Sequence, residues 1–264
     1  MLAWGIGRPL ALVVGLLPDT VRFVVGTRIA KRRPLDHDTL ALVLEVATET
    51  ERGRLLACRK EPETVAWLER HRAADMVLYD VGANVGAYSL IAAELGGPAA
   101  RVVAVEPGAT TYPRLVRNIA VNRLEGRVVA LPVALGARTG LTEFGYSSLE
   151  PGAAEHPGVG GPAAVRLPVL CYRLDDLVHG FGLPRPTLLK IDVDGAEVEI
   201  LRGASGVLAP PGLRSVLVEV REGSPEADAV RATLEGHGFA LEDSRLHEGG
   251  AVRNLIFTRA GAPG

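Results

Sequence analysis

The chain has 264 residues, of which 47% are apolar, enough for a substantial domain with its own core rather than a disordered segment. Its formal net charge of -2 argues against a basic nucleic-acid-binding surface, so we expect no nucleic acid partner. Two distant cysteines, Cys58 and Cys171, provide neither a disulfide framework nor a metal-ligand set. This usage is typical of a reduced, cytoplasmic protein without a metal site.

Residues 1–34 form an apolar segment that ends in the basic triplet Lys31–Arg33. Its uninterrupted apolar run, Leu10–Leu17, is far shorter than the ~20 residues that span a bilayer. Two interpretations stay open. The segment is a helix packed on the domain or on a partner subunit of a homo-oligomer, or it is an interfacial anchor at the inner face of a membrane.

Residues 35–75 are predicted to form a small N-terminal cap on the main domain. Alternation within Leu40–Val46 indicates a strand pair, and Pro62–Arg70 is predicted to be a helix.

From residue 76 to residue 260, apolar strands alternate with helical segments, which predicts an α/β fold with a parallel sheet and helices on both faces. The predicted strands are Met76–Tyr79, Arg101–Val105, Arg127–Leu131, Thr187–Ile191 and Ser215–Glu219. The predicted helices are Tyr88–Leu95, Tyr112–Asn122, Ala196–Arg202 and Glu226–Glu235, with a helical turn at Leu174–Val178. Phe239–Leu241 and Leu255–Thr258 predict a closing antiparallel hairpin.

A Gly/Pro-rich insertion, residues 136–168, interrupts this alternation. A loop of this length is usually functional or disordered, and strand character returns only at Val165–Leu170. We expect the part between Gly145 and Gly161 to shape a substrate pocket.

Four of the predicted strands are followed by, or end in, acidic residues: Asp80, Glu106, Asp192 with Asp194, and Glu219. Ligands of open parallel sheets bind beyond the carboxyl ends of the strands. We therefore expect these carboxylates to line one crevice.

The first strand leads into a glycine-containing turn, Asp80–Gly86, that opens a helix. Its pattern is G-x-x-x-G, without the middle glycine that lets a pyrophosphate approach in dinucleotide sites. Asp80 also places a negative charge where a pyrophosphate would be repelled. S-adenosylmethionine has no phosphate and carries two cationic groups, so it suits this turn.

Glu106 follows the second strand, 26 residues after Asp80. A carboxylate near this spacing accepts hydrogen bonds from ribose hydroxyls. The alternative is an ordinary surface acid before Pro107.

The stretch Lys190–Glu197 combines a lysine with several acids. Lys190, Asp192 and Asp194 share one side of an extended strand, and such a cluster could orient and deprotonate a hydroxyl. Asp192 is the first candidate base and His156, in the insertion, is the second. The structural alternative is an ion pair, with Asp194 capping the following helix.

Together these motifs resemble the FkbM-type methyltransferases over residues 55–260. The motifs that carry the resemblance are Lys60–Thr64 with Trp67, Tyr79–Gly86, Val105–Pro107, Asn118 with Asn122, Leu174–Leu177 and Lys190–Glu197. The resemblance implies a Rossmann-like sheet of seven mostly parallel strands and S-adenosylmethionine as the methyl donor. It also implies a hydroxyl acceptor on a sugar, a glycan or a secondary metabolite.

The resemblance also implies roles for individual residues. The amino-acid part of the cofactor would contact Asp80, Gly82, Asn84 and Gly86, the ribose Glu106, and the adenine Asn122, Val133 and Ala134. Glu61 and Thr64 would close over the cofactor, although a turn that merely starts a helix has the same sequence.

Two rival functions remain to be compared with methyl transfer. One is an NAD-dependent oxidoreductase or epimerase on a similar sheet, which Asp80 and the G-x-x-x-G turn disfavour. The other is a non-catalytic S-adenosylmethionine-binding protein, which the joint presence of Asp80, Glu106 and Lys190–Glu197 disfavours.

Overall fold

A computed structural model describes Pro18 and residues 31–152, 163–209, 212–247 and 250–259. His156 and the segment before residue 31, apart from Pro18, lie outside the described residues. Within the described ranges, no helix has the length and apolar character required to cross a bilayer.

The described elements alternate between strands and helices along most of the chain. The strands are β1 (Lys31–Pro34), β2 (Val43–Val46), β3 (Val77–Val81), β4 (Arg101–Val105), β5 (Val128–Leu131), β6 (Ala134–Leu135), β7 (Gly140–Tyr146), β8 (Val165–Tyr172), β9 (Leu188–Ile191), β10 (Ser215–Arg221), β11 (Phe239–Leu246) and β12 (Val252–Arg259). The helices are α1 (Glu49–Gly53), α2 (Ala57–Lys60), α3 (Pro62–Arg70), α4 (Ala87–Leu95), α5 (Tyr112–Val121), α6 (Leu174–Gly180), α7 (Glu197–Arg202), α8 (Ser205–Leu208) and α9 (Pro225–Gly236). A 3-10 turn, Arg54–Leu56, joins α1 to α2.

The main sheet has seven strands in the order β11-β12-β10-β9-β3-β4-β5. The five strands from β10 to β5 are mutually parallel, whereas β12 runs antiparallel to both β10 and β11. The predicted α/β fold with its antiparallel C-terminal hairpin is confirmed. Both hairpin strands are longer than predicted.

The core has two layers, one on each face of the sheet. One layer packs under α3, α4 and α5 and includes Trp67 and Leu115, both fully buried. Successive residues of β9 alternate between the faces, because strand side chains point to opposite sides. Leu188 belongs to this first layer and Leu189 to the opposite one, which places Lys190 on the face that carries α4.

The N-terminal cap is held by side chains of Asn118 in α5 and Asn122 at its C-terminal end, which bind backbone groups of β2. The Oδ1 atom of Asn122 accepts from the Val43 N–H at 3.0 Å, and its Nδ2 donates to the Val43 carbonyl at 2.7 Å. Asn118 Oδ1 likewise accepts from the Glu45 N–H at 2.8 Å. The predicted role of Asn122 near an adenine is wrong, because its side chain is committed to Val43.

Two predicted boundaries near the cap and the insertion are also corrected. The strand pair expected within Leu40–Val46 is β2 paired antiparallel with β1, which lies in the segment assigned to residues 1–34. Residues 140–146 and 165–168 of the insertion are strands of a sheet of order β6-β8-β7, of which residues 140–146 were expected to be loop. Thr, Phe and Tyr residues favour the extended strand there, and the rings of Phe144 and Tyr146 meet edge to face at 5.0 Å.

We expect Asn122→Ala to lower the free energy of unfolding by about 1–3 kcal/mol, because it leaves both polar groups of Val43 without partners. Denaturant unfolding followed by circular dichroism measures this change. Val116→Ala, at an exposed position of α5, is the control and should be nearly neutral. Equal stability of Asn122→Ala and the wild type would contradict this role.

Candidate active site

A cleft of about 320 Å³ opens at the carboxyl ends of β3, β4, β9 and β10. Its composition changes from one end to the other, following the order of the strands. The β4 and insertion side is mainly apolar, with Val105, Val133, Ala134, Leu135 and Phe144. The β9 and β10 side carries most of the charged groups, Glu61, Asp192, Asp194, Glu219 and His247, beside the apolar Val193, Ala196, Ile200 and Val252. Of the strand-end carboxylates expected to line one crevice, Glu106, Asp192, Asp194 and Glu219 do so, whereas Asp80 does not.

The glycine turn brings the main chain of two strands into close contact. Gly82 has φ of 82°, and a Cβ there would overlap the carbonyl oxygen of Asp192. Gly82 and Asn84 line the cleft, as expected. Gly86 does not: it is the N-cap of α4 with φ of 93°, and a Cβ would meet Leu115 at 2.5 Å. Gly86 therefore serves helix packing rather than direct ligand contact.

Asp80 lies inside β3 beneath the turn and is only 1% exposed, so it is not part of the cleft wall. Its Oδ2 accepts from the Ser89 hydroxyl at 2.5 Å, and its Oδ1 lies 3.8 Å from Lys190 Nζ. The Oδ1 atom has no hydrogen bond. Burial raises the pKa of Asp80 despite the nearby ammonium. The sequence predicted direct contact of Asp80 with a ligand. In the structure Asp80 lies beneath the turn, where it contacts Ser89 and Lys190 instead.

Glu106 is buried at the end of β4 and faces the cleft. One carboxylate oxygen accepts from the Gly108 N–H at 2.7 Å, and the other accepts from the Asn84 N–H at 2.9 Å. Burial raises the pKa of Glu106 to about 7, even though both N–H groups favour the charged form. Each oxygen keeps a lone pair that can accept a hydrogen bond from a ligand hydroxyl.

Lys190 and Asp192 form a close ion pair on one side of the strand. Lys190 Nζ is 2.6 Å from Asp192 Oδ2 and 5.0 Å from the ring centre of Tyr88. Burial opposes the lysine charge, but Asp192, Asp80 and Glu61 together raise the pKa of Lys190 above its usual range. Burial would raise the pKa of Asp192, yet the pairing with Lys190 outweighs it and holds that pKa low. The ion pair therefore favours the ionised form of Asp192, which is a hydrogen-bond acceptor.

The N-terminal cap adds two side chains to the cleft, Arg54 and Glu61. Glu61 Oε2 accepts from the Thr64 hydroxyl at 3.0 Å, and burial together with Asp192 raises the pKa of Glu61. Arg54 donates from Nε and Nη2 to the Gly152 carbonyl, each at 3.3 Å, which ties the cap to the turn that follows β7. The sequence predicted Glu61 but offered no signal for Arg54, which follows an ordinary capped helix.

Glu219 and His247 form a second polar pair at the β10 end. His247 Nδ1 is 3.5 Å from Glu219 Oε2, and its Nε2 is 3.6 Å from Glu63 Oε1. Burial, with Asp192 and Glu61 nearby, raises the pKa of Glu219 to about 8. Glu219 was expected from its strand-end position. His247 was not expected, because no motif in the surrounding sequence indicates a role for this histidine.

The other predicted site residues have simpler outcomes. Val133 and Ala134 line the apolar end of the cleft. Asp194 lines the polar side but is not the N-cap of α7, since that helix begins at Glu197 after Ala196. The Gly195 N–H is bound instead by Glu197 Oε1 at 2.9 Å. Across the described ranges, no group of three or more His, Cys, Asp or Glu side chains could hold a metal ion.

The chain is similar to proteins of known activity over most of its length. It is 28% identical to hexuronic acid methyltransferase AglP of Haloferax volcanii over 72% of this chain and 74% of that protein. It is 29% identical to 31-O-demethyl-FK506 methyltransferase FkbM of Streptomyces tacrolimicus, over 69% of this chain and 80% of that protein.

A solved structure shares the fold. The crystal structure of methyltransferase FkbM from Methylobacillus flagellatus superimposes with a TM-score of 0.53 at 15% sequence identity, covering 80% of this chain and 56% of that one. At this identity the likeness supports the Rossmann-like architecture alone.

A profile of the methyltransferase FkbM domain matches residues 80–241, more than half of the chain and all of the strand-end acids described above. The family resemblance read from the sequence is thus confirmed. The chain belongs to the methyltransferase FkbM domain family, and its cofactor is S-adenosylmethionine.

Proposed function

We propose that the chain transfers the methyl group of S-adenosylmethionine to a hydroxyl group of a sugar, a glycan or a secondary metabolite. The observation that carries the proposal is the graded cleft, apolar at one end and acidic at the other, over the carboxyl ends of the parallel strands. The relatives whose names specify a hexuronic acid and a demethylated FK506 support an acceptor of this class.

Taken in the order of the strands, the residues of the cleft match successive parts of the cofactor. The apolar end with Val133 and Ala134 suits an adenine, and Glu106 beside it has free lone pairs for ribose hydroxyls. Gly82 and Asn84 would border the amino-acid part of the cofactor, above Asp80, whose Oδ1 accepts no hydrogen bond and lies 3.8 Å from Lys190 Nζ. The acidic end suits a sulfonium.

With the cofactor placed along the strands in this order, the acceptor would occupy the remaining part of the cleft. With the cofactor over β5, β4 and β3, the acceptor would lie over β9 and β10, between Asp192 and Glu219 and under Glu61 of the cap. The bound cofactor supplies an electrophilic methyl group on sulfur. Positioning by the chain can lower the barrier by up to ~7–11 kcal/mol when the reacting atoms are aligned.

Asp192 and Lys190 would position the acceptor hydroxyl. Their ion pair fixes the carboxylate at the cleft wall, and the partly exposed side chain of Asp192 can accept a hydrogen bond from the hydroxyl. Because this pairing keeps the pKa of Asp192 low, the residue is better suited to orient the hydroxyl than to keep its proton.

Two elements of the sequence interpretation stay part of the proposal. They are a homo-oligomer, and a cytoplasmic protein whose residues 1–33 either pack on the domain or a partner subunit or contact the inner face of the membrane. The basic triplet Lys31–Arg33 supports the membrane contact through its attraction to anionic lipid.

Calorimetry with S-adenosylmethionine, S-adenosylhomocysteine and NAD tests the ligand class. We expect NAD to bind at least about 100-fold more weakly, a difference of ~2.8 kcal/mol, because the turn lacks the glycine that admits a pyrophosphate. Equal or tighter NAD binding would favour the oxidoreductase or epimerase. Cofactor binding without methyl transfer to a panel of glycosides and hexuronosides would favour the non-catalytic binding protein.

Glu106→Gln should weaken adenosine binding by about 1.5–3 kcal/mol, because it removes a charged acceptor from the ribose hydroxyls. In the wild type, adenosine should bind more tightly as pH rises through about 7, since the hydroxyls favour the ionised carboxylate. The variant should lose this pH dependence, and exposed Glu125→Gln should keep it. Adenosine has no sulfonium, so its binding reports the ribose contact without the attraction of a sulfonium to the acidic end of the cleft. Identical pH profiles in both variants would argue against a ribose contact.

Asp192→Asn should lower kcat/KM for an accepted glycoside by ~100-fold through misplacement of the hydroxyl. Binding of S-adenosylhomocysteine, measured by calorimetry, should change little because that product carries no sulfonium. Asp228→Asn in the first turn of α9 is the matched control. Unchanged turnover in Asp192→Asn would exclude the residue from the acceptor site.

A further inference from the structure

We propose that Glu219, paired with His247, is the base that accepts the proton of the acceptor hydroxyl. This assignment rests on the proposed function. It is carried by the position of the pair in the cleft: Glu219 stands on β10 and His247 directly follows β11, both beyond β9 on the side away from the adenine end.

The carboxylate of Glu219 is free to accept a proton from a ligand. Its side chain is 18% exposed, it lines the cleft, and its one polar contact within the described residues is His247 Nδ1 at 3.5 Å. Both oxygens therefore have unused lone pairs. Glu106 and Asp192, by contrast, already bind backbone N–H groups or an ammonium at 2.6–2.9 Å.

The surroundings of Glu219 favour its proton uptake. Groups on several elements face it: Asp192 and Lys190 at β9, Asp194 after β9, Glu61 before α3, and His247 after β11. Burial is the largest effect and the three carboxylates add to it, while Lys190 opposes them, so the pKa of Glu219 rises to about 8. A base is most effective when its pKa lies near the working pH.

His247 is placed to stabilise the proton once it has been accepted. Its ring lies between Glu219 and Glu63, with Nε2 buried and without a hydrogen bond. Glu63 is itself fixed by Asn254 Nδ2, which donates to Oε1 at 2.9 Å. A proton that passes from Glu219 to the imidazole would therefore have a carboxylate on each side.

The reaction step balances with this base. A lone pair of the acceptor oxygen forms the bond to the methyl carbon while the carbon–sulfur bond breaks and its electron pair stays on sulfur. The hydroxyl proton goes to Glu219, and the sulfonium charge is lost as the neutral thioether forms. Before the step the hydroxyl donates its hydrogen bond to Asp192; this bond is given up as the proton passes to Glu219, and the proton leaves later to solvent.

Carbon-13 NMR of protein labelled at the glutamate side-chain carboxyl tests the base without an acceptor. We expect one resonance to titrate with a midpoint near pH 8. It should be absent from Glu219→Gln and retained in Glu222→Gln, the same change just after β10 at an exposed residue paired with Arg253. Titration of the Glu219 carboxyl near its ordinary value would overturn the assignment.

Turnover of methyl glycosides and methyl hexuronosides gives the second measurement. In the wild type, kcat/KM should rise with pH through about 8, because the base must be deprotonated. Glu219→Gln should lower kcat at least ~100-fold, and His247→Gln should lower it less, about 10-fold. Both should bind S-adenosylhomocysteine within about twofold of the wild type.

The two proposals fail in different ways. If the wild type binds no S-adenosylhomocysteine, the proposed function itself is wrong. If the wild type binds it and turns over, but Glu219→Gln is as fast as the wild type, the base assignment is wrong and the function stands.

Discussion

The ammonium of Lys190 holds together the acidic end of the sheet. It is 1% exposed and lies within 3.8 Å of Asp80 and 2.6 Å of Asp192, and its charge also acts on Glu61 and Glu219. Without this cation, four carboxylates would share a buried region with little to offset their repulsion. Removing one partner of a buried ion pair typically lowers the free energy of unfolding by about 3–5 kcal/mol. The cluster of carboxylates therefore depends on Lys190.

The distribution of charge around Lys190 separates the carboxylates into different tasks. The nearest one, Asp192, is kept ionised, whereas Glu219 is influenced less by the lysine than by burial and its acidic neighbours. Glu106, farther along the cleft, is governed by burial and two backbone N–H groups. The same chemical group thereby suits three proposed tasks, those of a fixed acceptor, a proton acceptor and a ribose ligand, according to its surroundings.

Much of the fold was predictable because buried parallel strands are short apolar runs with clear ends. β4 matched its prediction, Arg101–Val105, for this reason. β7 was missed because Gly140–Tyr146 belongs to a small sheet, where neither an apolar run nor strict alternation is required. β11 extends past its predicted end through a register shift between Leu241 and Asp243, which the periodicity of the sequence does not show.

The site was predictable where function follows from position on a strand and not where it depends on distant packing. Strand ends identified Glu106, Asp192 and Glu219. The contact of Arg54 with Gly152, and of His247 with Glu219, joins segments far apart in the chain. Asn122 was assigned by motif position, yet a short polar side chain at a helix end serves equally well to bind a neighbouring backbone.

In the proposed arrangement, peripheral segments join β9 and β10 on the acceptor side of the cleft, while the middle of the cofactor side follows β3 and β4. Arg54 and Glu61 come from the cap, and His247 and Val252 come from the β11–β12 hairpin, whereas Gly82 and Glu106 follow directly on β3 and β4. Such a division lets a lineage exchange one substrate for another by altering the cap and hairpin, with the cofactor chemistry inherited intact. Substitutions in the outer segments could therefore accumulate without changing the strands that would bind the methyl donor.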